Sequence, residues 1–189
     1  MSLQTWQETL VTQIAAGSSF GTFTTAKTVI NPQALFVLPA GFFTIGKRLR
    51  ITVQGGISNI VTTPGTMTFQ VMIASVIAFT TGAIQLNATA HTNLPFRLDI
   101  ELVCRAVGNG TSANLMGIAE VYGVMFTNTA AQTDGANTNT VKNVPATAPA
   151  VGTGFDSTIA NILDFFAAFS ISDAANTVKI ENYTVESLN

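Results

Sequence analysis

The sequence predicts an all-β fold, an antiparallel jelly roll or β-sandwich with an N-terminal arm and one short helix. Three observations carry that expectation. After Leu35, apolar and polar residues alternate with period two through most of the chain, which is the pattern of strands with one buried face. Clusters of Gly, Pro, Asn and Asp separate these runs, as tight turns require. Charge is scarce: 10% of the 189 residues are charged and 47% are hydrophobic, with a mean hydropathy of +0.40, whereas an ordinary soluble domain carries about 25% charge. A chain so poor in ions must build its surface from Thr, Ser, Asn, Gly and Ala or have it covered by other chains. The expectation is a protein that sits in an assembly.

Residues 1–34 read as an N-terminal helix and extended arm, and 35–189 as one β-domain. Leu3, Trp6, Leu10 and Ile14 recur at steps of three and four, which predicts a helix over 3–16, with Ser2 as its cap and Gly17 at its end. The Thr- and Ser-rich stretch that follows reads as extended. Strand patterns begin with Leu49-Arg50-Ile51-Thr52-Val53 and continue where Met67, Phe69, Val71 and Ile73 alternate with Thr66, Thr68 and Gln70. From Phe96 to Cys104 the apolar face holds Phe96, Leu98, Ile100, Leu102 and Cys104, and Arg97, Asp99 and Glu101 lie opposite. Phe165, Ala167, Phe169 and Ile171 mark another strand, in which Phe165 and Phe166 point to opposite faces. In the last strand the apolar phase shifts from Val178 and Ile180 to Tyr183 and Val185, which predicts a bulge near Asn182. Gly55-Gly56, Thr63-Pro64-Gly65, Thr81-Gly82, Gly108-Asn109-Gly110 and Asp134-Gly135 read as turns. Residues 127–154, rich in Thr, Asn, Ala and Gly, read as a long loop with room for one short strand.

Chemistry-bearing residues are few. His91 is the one histidine and Cys104 the one cysteine, too few for a disulfide or a zinc site built on those residue types. His91 lies in a Thr/Asn/Ala turn between two strands and reads as a surface loop residue, since a general base needs a partner nucleophile and a pocket. Asp99 and Glu101 share a strand face and are a candidate pair for glycoside hydrolysis, but Arg97 and Arg105 on the same row favour a charge ladder. Neither Gly108-Asn109-Gly110 nor Gly152-Thr153-Gly154 opens a strand–helix unit or a phosphate loop, so no cofactor is expected, and the chain reads as non-enzymatic. Eight Lys and Arg against ten Asp and Glu exclude a phosphate-tracking groove, and with it nucleic acid. The basic trio Lys47, Arg48 and Arg50 reads as ion-pair partners. Met67–Phe79 and Ile159–Ile171 are apolar but too short for a helical membrane span. Thirteen Phe against two Tyr and one Trp point to burial rather than to a carbohydrate platform. The candidate assembly contacts are Leu3, Trp6, Leu10, Ile14, Phe165 and Phe166.

Four blocks resemble small structural proteins of tailed bacteriophages: Leu38 through Ile51 (LPAGFFTIGKRLRI), Gly56 through Thr66 (GISNIVTTPGT), Gly110 through Gly117 (GTSANLMG) and the ending Tyr183 through Asn189 (YTVESLN). The similarity runs from about Leu35 to the end and lies in turn and strand motifs. In place of the Gly often found after the strand ending at Ile73, this chain has Ala74-Ser75. The resemblance implies a virion component, a jelly-roll capsid decoration or cement protein on the outside of the capsid, often trimeric. Its expected partners are the major capsid protein and further copies of itself. The alternative is an adsorption module on a head or tail fibre that binds host-surface glycan.

Overall fold

The computed structural model describes residues 7–60, 63–127 and 141–188. Among the described residues, thirteen strands form two antiparallel sheets packed as a β-sandwich. In chain order the strands are β1 (Gln7–Thr12), β2 (Phe20–Gly21), β3 (Lys27–Thr28), β4 (Phe36–Leu38), β5 (Arg48–Asn59), β6 (Thr66–Ile73), β7 (Val76–Thr80), β8 (Ile84–Gln85), β9 (His91–Ala106), β10 (Asn114–Tyr122), β11 (Val141–Val144), β12 (Asn161–Phe169) and β13 (Thr177–Leu188). Sheet A runs β1-β13-β5-β9-β10-β11, with β2 also on β13. Sheet B runs β3-β12-β6-β7, with β4 also on β12 and β8 on β6. The chain crosses between the sheets after β2, β4, β5, β8, β11 and β12. Because β5 pairs with β13 and β6 with β12, the β5–β6 and β12–β13 segments wind together across both layers.

Period-two patterning decides which side chains enter the core. Met67, Phe69, Val71 and Ile73 are fully buried, and Phe96 through Cys104 alternates between buried and partly open positions as its sequence pattern requires. At the centre, Phe69 of sheet B stacks on Phe165 of its own sheet at 5.6 Å and on Phe96 of sheet A at 5.5 Å. Phe126 meets the Phe69 and Phe96 rings edge-on at 6.3 and 6.0 Å. Tyr183 closes the row against Phe165 at 6.0 Å. Aromatic pairs of this geometry add about 0.5–1.5 kcal/mol each beyond the area they bury.

The N-terminal segment departs from expectation. Residues 7–12, predicted as helix, form the edge strand β1, paired with Leu188 through Thr184. Three- and four-residue spacing of Leu10 and Ile14 is outweighed by β-branched Thr9, Val11 and Thr12 beside an open edge of β13, since tertiary pairing overrides a weak local preference. Ile14 is 88% exposed. Leu3 and Trp6 lie outside the described residues. From β2 onward the segment leaves sheet A and joins sheet B through β3 and β4, and it buries Phe23, Val29, Ile30 and Ala34. It is extended, as expected, but it is woven into both layers. Gln13 holds the crossing: its backbone N–H donates to the Tyr183 carbonyl (2.8 Å), its Nε2 donates to the Ile180 carbonyl (3.1 Å), and its Oε1 accepts from the Asn31 N–H (3.2 Å). The one short helical turn among the described residues, Pro32–Ala34, is capped by the Asn31 side chain accepting from the Gln33 N–H at 3.0 Å.

Gly55 and Gly56 are not a turn. They sit inside β5 opposite Ile180 and Lys179, where the predicted bulge of β13 falls between Ile180 and Asn182. A Cβ on Gly55 would stand 2.1 Å from the Lys179 carbonyl oxygen; the residue is there for close approach. Gly65 and Gly82 do adopt the left-handed backbone, with φ of 73° and 66°, a region open to Gly without steric cost. Of the long segment 127–154, the described part holds β11 at the far edge of sheet A. Asp134-Gly135 falls outside the described residues.

Two expectations test the core. Phe69→Ala removes the ring shared by both sheets and should cost about 3–5 kcal/mol in urea unfolding. The Tyr183 hydroxyl is buried and has no hydrogen-bond partner among the described residues. Tyr183→Phe should therefore be neutral or raise stability, by up to about 1 kcal/mol in the same assay.

Candidate assembly surface

With the inward positions assigned, the outward positions of the two sheets differ sharply in chemistry. The outer face of sheet A carries Arg48, Arg50, Arg97 and Lys179 together with Asp99, Glu101, Glu120, Glu181 and Glu186. Register sets their neighbours. Glu186, Arg50 and Glu101 lie side by side on β13, β5 and β9, and in the next row Thr52, Asp99, Glu120 and Asn143 align across β5, β9, β10 and β11. Arg50 reaches Glu101 at 3.4 Å and Glu186 at 3.7 Å, and Arg48 also pairs with Glu101. Arg97 holds Asp99 at 2.7 Å, with a second bond from the Thr52 hydroxyl at 3.0 Å. Lys179 and Glu181 pair at 2.6 Å. The Tyr122 hydroxyl donates to Glu120, and that bond lifts the phenol above its usual value. Lys47, the third member of the basic trio, places its ammonium 4.0 Å from the centre of the Phe42 ring.

Asp99 and Glu101 border a shallow cleft on this face with Arg50, Arg97, Glu120 and Asn143. Both carboxylates are engaged by arginine, so the pair considered for glycoside hydrolysis stands as part of an ion-pair ladder. His91 opens β9, half-exposed, with its backbone N–H on the Asn59 side chain at 3.0 Å. Cys104 is buried, and burial pushes its thiol up. Among the described residues, no three His, Cys, Asp or Glu side chains come together as metal ligands, and no helix is long and apolar enough to cross a membrane.

The outer face of sheet B is the opposite case. Val37 on β4 lies beside Ile162 on β12, and Asp164 on β12 lies in line with Met72 on β6 and Ile77 on β7. The next row holds Thr28, Phe166, Gln70 and Thr80. Val37 is 57% exposed, Ile162 49% and Ile77 36%. Asp164 is the single charged side chain on this face among the described residues. Its Oδ1 accepts from the Thr28 hydroxyl and from the Phe165 N–H, both at 2.7 Å, and burial nevertheless raises its carboxyl above the ordinary value.

Of the residues expected at assembly contacts, Phe166 lies on this face, half-buried, whereas Phe165 belongs to the core. Leu10 is half-buried on β1 against the core, and Ile14 projects into solvent. The sequence reading missed Val37, Met72, Ile77 and Ile162. The signal was present in Ile162-Leu163, where an outward position of an alternating strand is apolar. Surface ion pairs of the sheet A kind contribute about 0–1 kcal/mol each. Glu101→Gln should therefore lower stability by no more than about 1 kcal/mol in thermal or urea unfolding and leave the fold intact. No protein-family model matches this chain, and no curated protein matches it in sequence.

Proposed function

We propose that this chain is a structural component of a tailed-phage virion: a decoration or cement protein that binds the outside of the head shell as a homo-oligomer and braces contacts between major capsid subunits. The observation that carries the reading is the contrast between the two outer faces. In a chain with 10% charged residues, the ions collect on sheet A, which suits contact with water, and the outer face of sheet B holds Val37, Ile162, Ile77 and Phe166 around one carboxylate. An apolar face of this kind favours cover by protein. The four sequence blocks that resemble phage structural proteins supply the virion context and imply a trimer. A sandwich by itself assigns no function, so the reading rests on that resemblance and on surface chemistry together. The role is mechanical and requires no bond-making residue.

Antibody labelling of intact phage particles that incorporate this chain, viewed by electron microscopy, tests the proposal. Label distributed over the heads is the expected result. Label confined to a fibre or tail tip would favour the glycan-binding adsorption module instead, and particles without label would remove the virion role.

A further inference from the structure

We infer that the outer face of sheet A holds a groove for a short, uncharged oligosaccharide, centred on Arg97 and walled by Tyr122. The inference goes beyond the assembly reading and does not depend on it, since it concerns the face that this reading leaves in water. Two shallow depressions meet at Arg97. One, of about 520 Å³, is the cleft bordered by Asp99, Glu101 and Glu120. The other, of about 460 Å³, lies between Tyr122, Gln54 and Glu181 over a floor that includes Gly55, Pro95 and Gly123. Each falls within the range of about 300–1,000 Å³ typical of small-ligand sites. Register makes them continuous. Tyr122, Arg97, Gln54 and Asn182 align in one row across β10, β9, β5 and β13, beside the row of Asn143, Glu120, Asp99 and Thr52. Such a row spans about 14 Å, long enough for a short oligosaccharide.

The ion pairs fix these side chains and leave part of their hydrogen-bonding capacity open. Arg97 uses its Nε on Asp99 at 2.7 Å, and its two Nη groups donate to nothing else among the described residues. Gln54 accepts the Asn182 amide on its Oε1 at 3.4 Å, which leaves its own NH₂ as a donor. Glu120 accepts the Tyr122 hydroxyl and makes no ion pair among the described residues, and Glu181 meets Lys179 through Oε1 alone. Donors and acceptors therefore stand side by side, already oriented. A hydroxyl group is both donor and acceptor, so a polyol can satisfy either kind wherever it lands. The Tyr122 ring, tethered by its hydroxyl to Glu120, adds the apolar wall on which the C–H face of a sugar ring packs. The scarcity of Tyr and Trp argues against a broad aromatic platform, but a groove of this kind needs one ring.

Charge selects against the other occupants. Arg48, Arg50, Arg97 and Lys179 stand among Asp99, Glu101, Glu120, Glu181 and Glu186, so the face is close to neutral with a slight excess of carboxylate. A sulfated, sialylated or nucleic-acid ligand gains no net attraction there. A protein laid flat on this face would strip water from the ion pairs and leave their remaining donors and acceptors unmatched, which costs more than the pairs return. A sugar exchanges water for hydroxyl groups at the same positions, and the ion pairs keep an open side to solvent.

Fluorescently labelled full-length protein applied to an array of neutral, sialylated and sulfated oligosaccharides tests this. Signal confined to neutral glycans is the expected result. Arg97→Ala and Tyr122→Ala should each lower it roughly tenfold or more. Gln54→Ala leaves the ion pairs and the ring in place and should lower it roughly threefold. Ile159→Lys, at an exposed position in the loop before β12, should leave it unchanged. Near-UV circular dichroism confirms that each variant is folded. No signal on any neutral glycan overturns the inference, as does signal on acidic glycans alone or signal that survives all three alanine variants. In each of those cases, label over the heads in the particle experiment would leave the decoration role intact. Binding to neutral glycans by particles labelled at the tail tip would keep the groove and overturn the decoration role instead.

Discussion

Phe69 lies between two rings, one from its own sheet and one from the sheet opposite, and the remaining structure follows from that placement. For Phe69 to stack on both Phe165 and Phe96, β6, β12 and β9 must each hold a particular register, because a slip by one residue turns every side chain to the other face. Register in turn fixes which residues look outward. The arginines and carboxylates of β5, β9 and β13 are thereby set in neighbouring rows on one outer face, and Ile162, Asp164 and Phe166 of β12 on the other. The two-faced surface of the molecule is thus a consequence of how its core is packed.

The edge of the sandwich nearest the N terminus is closed by a device of a different kind. β1 and β2 extend sheet A, β3 and β4 extend sheet B, and the connection between them is held by the buried amide of Gln13 and by the Lys27 ammonium over the Phe20 and Phe23 rings. A sheet edge left open invites pairing with other chains. Here residues 20–34 cover part of that risk while contributing Phe23, Val29 and Ile30 to the core. Gln13 and Gly17 both donate to the Ile180 carbonyl, which stands at the bulge of β13. That bulge is therefore held from both sides, since Gly55 of β5 lets the Lys179 carbonyl come close from the other.

Much of the sandwich was legible in the amino-acid sequence because alternation is a direct record of burial. Met67 through Ile73 and Phe96 through Cys104 could be assigned face by face, and the phase change between Ile180 and Tyr183 located a bulge to within a residue. The losses occurred where a local pattern competed with a distant partner. Leu10 and Ile14 carry helical spacing, but an unfilled edge of β13 recruits residues 7–12 as a strand. Gly55-Gly56 looks like a turn because nothing local shows that Lys179 and Asn93 must approach there. The assembly face was only half legible. Phe166 stood out as an aromatic on an outward position, whereas Val37, Met72 and Ile77 come from three other strands, and only the register of sheet B places them beside Ile162.

The central claim is that an ion-poor chain keeps its charges on one sheet so that the other can be covered by protein. Hydroxyl-radical footprinting of the assembled protein against the dilute, dissociated chain measures this most directly, side chain by side chain. The account predicts that Val37, Ile77, Ile162 and Phe166 become protected on assembly while Met116 and Tyr122 on sheet A react as before. Protection of Met116 and Tyr122, with Ile162 and Phe166 left reactive, would contradict it.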